Sequence, residues 1–137
     1  MLSEFIVEGG DFTRAGSASS QIKKILKNLN VSPDVVKRVV VALYEAEVNI
    51  VAHAFKGVIY ADISNSGIKL VLEDEGPGIA DIKMAMTKGY STASQTVREM
   101  GFGAGMGLPN IKDNADRFEI ISNVGKGTRL TIEIDFL

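Results

Sequence analysis

The chain has 137 residues, 45% of them hydrophobic and 23% charged, and a formal net charge of −2. This is the composition of one ordinary globular domain with enough apolar mass for its own core. The balance of charge makes no electrostatic case for nucleic-acid binding, and the absence of cysteine excludes disulfides, thiolate-bound zinc and thiol catalysis and suits a reducing cytoplasm.

Leu2 to Glu8 alternates and is β-branched enough for a strand, ended by Gly9-Gly10-Asp11. Glu4 stands where a signal peptide would carry basic residues, so no leader is expected. Ser17 to Leu29 places Ile22, Ile25, Leu26 and Leu29 at helical spacing, and Asn28 and Asn30 close it. A second helix opens with Ser32 as N-cap and Pro33 at the first helical position, and runs to about His53, since Gly57 stops it. Its apolar face of Val35, Val36, Val39, Val40, Leu43, Ala46 and Ile50 predicts a largely buried helix. Lys37, Arg38, Glu45, Glu47 and Asn49 interrupt it, and nothing in the chain approaches the roughly 20 apolar residues of a membrane span.

Gly57 to Ser64 and Ile68 to Glu73 read as strands joined by the tight turn Asn65-Ser66-Gly67. Asp81 to Lys88 reads as a short helix. Residues 89–107 carry five glycines with little apolar periodicity, which predicts a functional loop or lid. Leu108 to Ala115 is a helix started by Pro109. Arg117 to Asn123 and Thr128 to Phe136 are strands joined by Val124-Gly125-Lys126-Gly127. This order predicts an α+β fold: a two-layer sandwich with helices on one face of a mixed, mainly antiparallel sheet. The whole chain, 1–137, reads as a single domain with its lid at about 87–107.

Candidate chemistry sits in three places. Glu45 and Asn49 are four apart on a helix and share a face, and His53 continues the line one turn later. One Asn oxygen suits Mg²⁺, which takes few protein ligands and completes its shell with water and phosphate oxygens. A Glu one turn away is placed to hold or deprotonate a water or a substrate hydroxyl. The same pattern also fits a polar helix end bonded to backbone, and His53 fits either a phosphate contact or a structural cap. Glu47 points elsewhere and reads as solvated or paired.

Asp74 follows an apolar strand and precedes Gly76-Pro77-Gly78. Such an Asp accepts a hydrogen bond from an exocyclic amine, as in adenine, or closes an Asx-type turn with no ligand. Gly103, Gly105 and Gly107 alternate before Leu108-Pro109, a glycine loop running into a helix N-terminus, which favours phosphate; the alternative is a flexible linker. It is not a P-loop, and the dinucleotide pattern fails because Met106 or Leu108 takes the third glycine position. Lys88 and Arg98 flank this segment as candidate phosphate counter-charges or solvated surface residues.

In this order the motifs resemble the N, G1 and G2 boxes of the Bergerat-fold ATPases, the histidine-kinase-like superfamily that includes type II topoisomerases, histidine kinases and mismatch-repair ATPases. Asp74-Glu75-Gly76-Pro77-Gly78-Ile79, Gly89-Tyr90-Ser91-Thr92 and Gly103-Ala104-Gly105-Met106-Gly107-Leu108-Pro109 are similar to the anti-sigma-factor and switch serine/threonine protein kinases of bacterial partner-switching modules. The resemblance implies ATP and Mg²⁺ as cofactors. It makes Glu45 the general base, Asn49 the Mg²⁺ ligand and Asp74 the contact to the adenine amine. Gly76, Gly78 and Ile79 then shape the pocket, and Thr128 supports Asp74 through water. Gly103, Ala104, Gly105, Met106, Gly107 and Leu108 form the lid on the phosphates, with His53 and Lys88 beside them.

The implied activity is phosphorylation of a Ser or Thr on a small STAS-type antagonist protein in the cytoplasm. The implied further partners are a sigma factor or a phosphatase, with neither nucleic acid nor membrane. The alternative is an ATP/ADP-binding module that sequesters its partner without phosphotransfer. A histidine kinase reading lacks an acceptor, because His53 is the single histidine and lies inside the nucleotide helix. Two departures stand out. The anti-sigma branch often carries a basic residue where this chain has Gly103, and Thr92 to Met100 is longer than expected for the switch branch. A homodimer is a further expectation, with Val31 to Val41 and the first strand as either its face or buried core.

Overall fold

Alternation in the strands becomes one dry and one wet sheet face. The computed structural model describes residues 1–86 and 107–137. Strands β1 (Leu2–Glu8), β2 (Lys56–Ile63), β3 (Gly67–Glu75), β4 (Arg117–Asn123) and β5 (Gly127–Asp135) form one sheet in the order β1-β2-β3-β5-β4. All four pairings between these described strands are antiparallel. The dry face carries Val7, Ile59, Ala61, Ile63, Ile68, Leu70, Leu72, Leu130, Ile132 and Ile134, all buried. Period two puts the alternate residues on the other face, where Glu4, Lys69, Glu73 and Arg129 are exposed.

Helices α1 (Ser17–Asn28), α2 (Pro33–His53), α3 (Ile82–Ala85) and α4 (Gly107–Asn114) complete the described fold. Ile22 and Leu26 of α1, Val36, Val39, Leu43, Ala46 and Ile50 of α2, and Ile111 of α4 join the strand residues in one core. Burying each large aliphatic side chain contributes about 1.5–3 kcal/mol. That burial holds α2 between the sheet and the other helices. Val36 and Val39 are therefore core, whereas Leu2 and Ile6 of β1 are 72% and 73% exposed.

Helix ends follow local chemistry. Asn30, at φ 59°, takes the left-handed conformation just past α1. Ser32 occupies the N-cap of α2 with Pro33 next; its carbonyl accepts from Val36 N at 3.0 Å, but its hydroxyl makes no cap bond. α2 ends at His53 because Ala54 is already extended. Gly57 is thus not the stop; it lies in β2, where a Cβ would approach the Ile50 side chain to 2.9 Å. The missing side chain lets helix and sheet close. A 3₁₀ turn at Phe12–Arg14 has no sequence signal of its own. Asp81 caps α3, its Oδ1 accepting from Met84 N at 3.0 Å; the helix ends at Ala85 with Met86 as its C-cap, shorter than the expected run to Lys88, and residues 87 and 88 lie outside the described residues. Among the described residues, no helix is long and apolar enough to cross a membrane.

Candidate active site

The C-terminal half of α2, the end of β3 and the start of α4 converge. Asn49 faces α4: a Cβ at Gly107 would lie 3.1 Å from Asn49 Oδ1 and 3.3 Å from its Nδ2. Among the described residues no hydrogen bond ties down the side chain of either Glu45 or Asn49, and no buried side-chain polar atom lacks a partner. Both residues are half-buried, and their polar atoms have no described hydrogen-bond partner. This excludes the reading of Asn49 and Glu45 as a polar helix end bonded to described backbone.

Asn49 offers one neutral, hard oxygen. Among the described residues no group of three or more His, Cys, Asp or Glu side chains could hold a metal. A divalent ion here would take most of its ligands from water and from a phosphate ligand. That is how Mg²⁺ is bound, so the donor set fits it.

His53 ends α2. Burial pushes its imidazole below its ordinary value, so at neutral pH the ring is uncharged.

Asp74 stands at the end of β3, its Oδ1 accepting from Thr128 N of β5 at 3.1 Å. Burial raises the carboxyl above its ordinary range, and the Thr128 amide opposes that rise. Thr128 touches Asp74 directly through its backbone, while its Oγ1 lies 2.8 Å from Ser122 Oγ. A Cβ at Gly127 would overlap the Asp74 carbonyl, so only glycine lets β5 approach this closely.

The turn after Asp74 is strapped to the β4–β5 hairpin. Gly76 N donates to Lys126 O at 3.0 Å and Gly125 N to Pro77 O at 2.8 Å. Ile79 N donates to Ser122 Oγ at 2.7 Å. Gly78 has φ +73°, and a Cβ there would overlap the Asn123 carbonyl. On the other side, a Cβ at Gly76 would sit 3.0 Å from Ala54 Cα, and Phe55 N donates to Glu75 O at 2.8 Å. The turn is thereby wedged between the end of α2 and the hairpin, with Asp74 fixed at its base.

Gly107 and Leu108 open α4, with Leu108 half-buried against the core. Lys88, Arg98, Gly103, Ala104, Gly105 and Met106 lie outside the described residues. Two contributors were not singled out by the sequence. Ser122 bridges Ile79 and Thr128 and is an ordinary strand residue by pattern. Glu47 is paired and not solvated: at 2% exposure its Oε2 accepts from Ala18 N at 3.1 Å and its Oε1 from Ser19 N at 3.2 Å. The first turn of α1 contains no acid of its own. That lack is the available signal, because helix N-termini need acceptors for their orphan N–H groups.

The histidine kinase-like ATPase domain family matches residues 11–134 of the chain. Over 97 residues the chain is 38% identical to the serine/threonine-protein kinase RsbT of Bacillus subtilis, covering 68% of this chain and 67% of that protein. It is 36% identical over 92 residues to the anti-sigma F factor of Thermoanaerobacter sp. (strain X514), covering 64% of this chain and 61% of that protein. It is 29% identical over 121 residues to the anti-sigma F factor of Clostridium kluyveri, with 85% and 82% covered.

Proposed function

The chain belongs to the histidine kinase-like ATPase domain family, and from that premise we propose that it is an ATP-dependent serine/threonine protein kinase of a partner-switching module, acting on a Ser or Thr of a small STAS-type antagonist protein. The observation that carries the reading is the pair Glu45 and Asn49. They are free of described hydrogen-bond partners on one flank of α2, with Asn49 beside Gly107 at the start of α4.

In this reading Asp74 accepts a hydrogen bond from the adenine amine. The Gly76–Ile79 turn walls the base pocket, and Asn49 with the start of α4 faces the phosphates. Glu45 takes the proton from the acceptor hydroxyl as its oxygen bonds the γ-phosphorus; the bond to the β-γ bridging oxygen breaks and ADP leaves. Mg²⁺, when bound through Asn49, supplies neutralisation of phosphate charge. The protein's own contribution is otherwise positioning. The family resemblance assigns Lys88, Gly103, Ala104, Gly105 and Met106 to the phosphates as well; they lie outside the described residues.

A second reading rests on the relatives named anti-sigma F factors. Here the domain holds ATP or ADP and sequesters a sigma factor, or engages a phosphatase, without phosphotransfer. Both readings place the protein in the cytoplasm. Both allow a homodimer through β1, where Leu2 and Ile6 are free, and not through Val36 and Val39, which lie in the core.

The test incubates the protein with Mg²⁺, ATP and a STAS-domain protein. Acid-stable phosphate on the STAS protein, lost in Glu45→Gln while ATP affinity persists, supports the kinase. A stable partner complex with no transfer supports the second reading.

A further inference from the structure

Arg38 lies about two turns before Glu45 and three before Asn49 on the same flank of α2. Its Nε donates to the carbonyl of Asn114, the last residue of α4, at 3.1 Å. Its Nη2 donates to Asp116 Oδ1 at 3.0 Å, and Asp116 Oδ2 accepts from Asp135 N of β5 at 2.7 Å. These two bonds hold the carboxyl of Asp116 below the usual carboxylate range. One guanidinium thus joins α2 to the C-terminus of α4 and to the end of the sheet.

The other end of α4 is Gly107, which rests on Asn49. α4 therefore bridges Arg38 and Asn49, running antiparallel to α2. An eight-residue helix is a rod of about 12 Å, so an axial shift at Asn114 is carried to Gly107. Pro109 and Ile111 bury its inward side but are apolar contacts, which resist separation more than sliding. A planar, directional donor at the last carbonyl resists sliding, and a cation there also suits the helix dipole.

We propose that Arg38 is a positioning residue for nucleotide binding: it sets the register of α4 along α2, and so where the first N–H groups of α4 stand relative to Asn49. This rests on the functional reading above, in which phosphates lie at that junction. Arg38 itself touches no nucleotide and moves no proton.

The experiment is calorimetric binding of Mg²⁺-ATP to the full chain carrying Arg38→Met, Arg38→Lys, Asn49→Ala, Asp74→Asn and the two doubles that combine Arg38→Met with Asn49→Ala or with Asp74→Asn. A residue that acts through α4 and Asn49 should cost about tenfold in affinity as Arg38→Met, and less as Arg38→Lys. Added to Asn49→Ala it should cost less than about twofold more, while added to Asp74→Asn it should keep its full effect. A role in stability alone would lower the urea midpoint without this pattern. Unchanged affinity in folded Arg38→Met, or the same loss in both backgrounds, overturns the inference. If Arg38→Met does not fold, Arg38→Lys and its doubles decide by the same pattern. Failure of the wild-type chain to bind ATP removes the functional reading itself; wild-type binding with an indifferent Arg38 removes this inference alone.

Discussion

Gly107 stands against the carboxamide of Asn49, so closely that a Cβ at 107 would lie 3.1 Å from Asn49 Oδ1. The neighbour is the end of a side chain, which can turn aside. Gly107→Ala should therefore fold. Removing a helical glycine gains up to about 1 kcal/mol of propensity, less at a first turn. The turned Asn49 should cost several-fold in ATP affinity. A urea midpoint held or raised beside a weakened calorimetric Kd is the expected pairing; unchanged affinity would detach this contact from the site.

Asp74→Asn tests the base pocket. The amide oxygen can keep the bond from Thr128 N, but its NH₂ then meets the adenine amine donor to donor. An unmet buried donor costs about 1–3 kcal/mol. That is about fivefold to 150-fold in ATP affinity by calorimetry. Full affinity in this variant would mean that Asp74 only closes its turn against β5.

Much of this was legible in the chain, for physical reasons that differ by element. Asn65-Ser66-Gly67 and the alternation of Ile68, Leu70 and Leu72 encode a hairpin locally, and β2 and β3 form it. Pro33 announces the start of α2 through its fixed φ and missing N–H. Asp74 was marked by the glycines that follow it, and its bond from Thr128 N fixes it at the base of that turn. Less visible were relationships made by tertiary closeness. Glu47 reads as one more charge on a helix until α1, without an acid in its first turn, is docked on it. Gly57 reads as a helix stop until β2 is packed on Ile50. Arg38 reads only as a charge interrupting an apolar helix until α4 ends beside it.

Two glutamates in one helical turn should separate catalysis from folding. Glu45→Gln should leave the urea midpoint unchanged and lower phosphotransfer by about a hundredfold or more. Glu47→Gln should do the reverse. It keeps one acceptor but turns an NH₂ toward an N–H of α1, costing about 1–3 kcal/mol of stability by urea unfolding. Phosphotransfer by its folded fraction should be retained. Equal activity losses in the two variants would contradict the division of roles.

His53 predicts a pH dependence with a definite sign. Its folded value lies below the ordinary 6.5 because of burial. Between those two values the unfolded chain holds a proton that the folded chain refuses. Stability contributed here is complete above 6.5, falls as pH drops through 6.5, and stops falling below the folded value. Asp74 acts in the opposite sense: its folded value lies above the ordinary 3.8, so its contribution falls as pH rises from 3.8 through that folded value. The two are separated by difference. Urea midpoints from pH 7.5 down to 5 should decline in the wild type, and His53→Gln should flatten the part of that decline that begins near 6.5. A decline identical in both proteins would assign it to other groups.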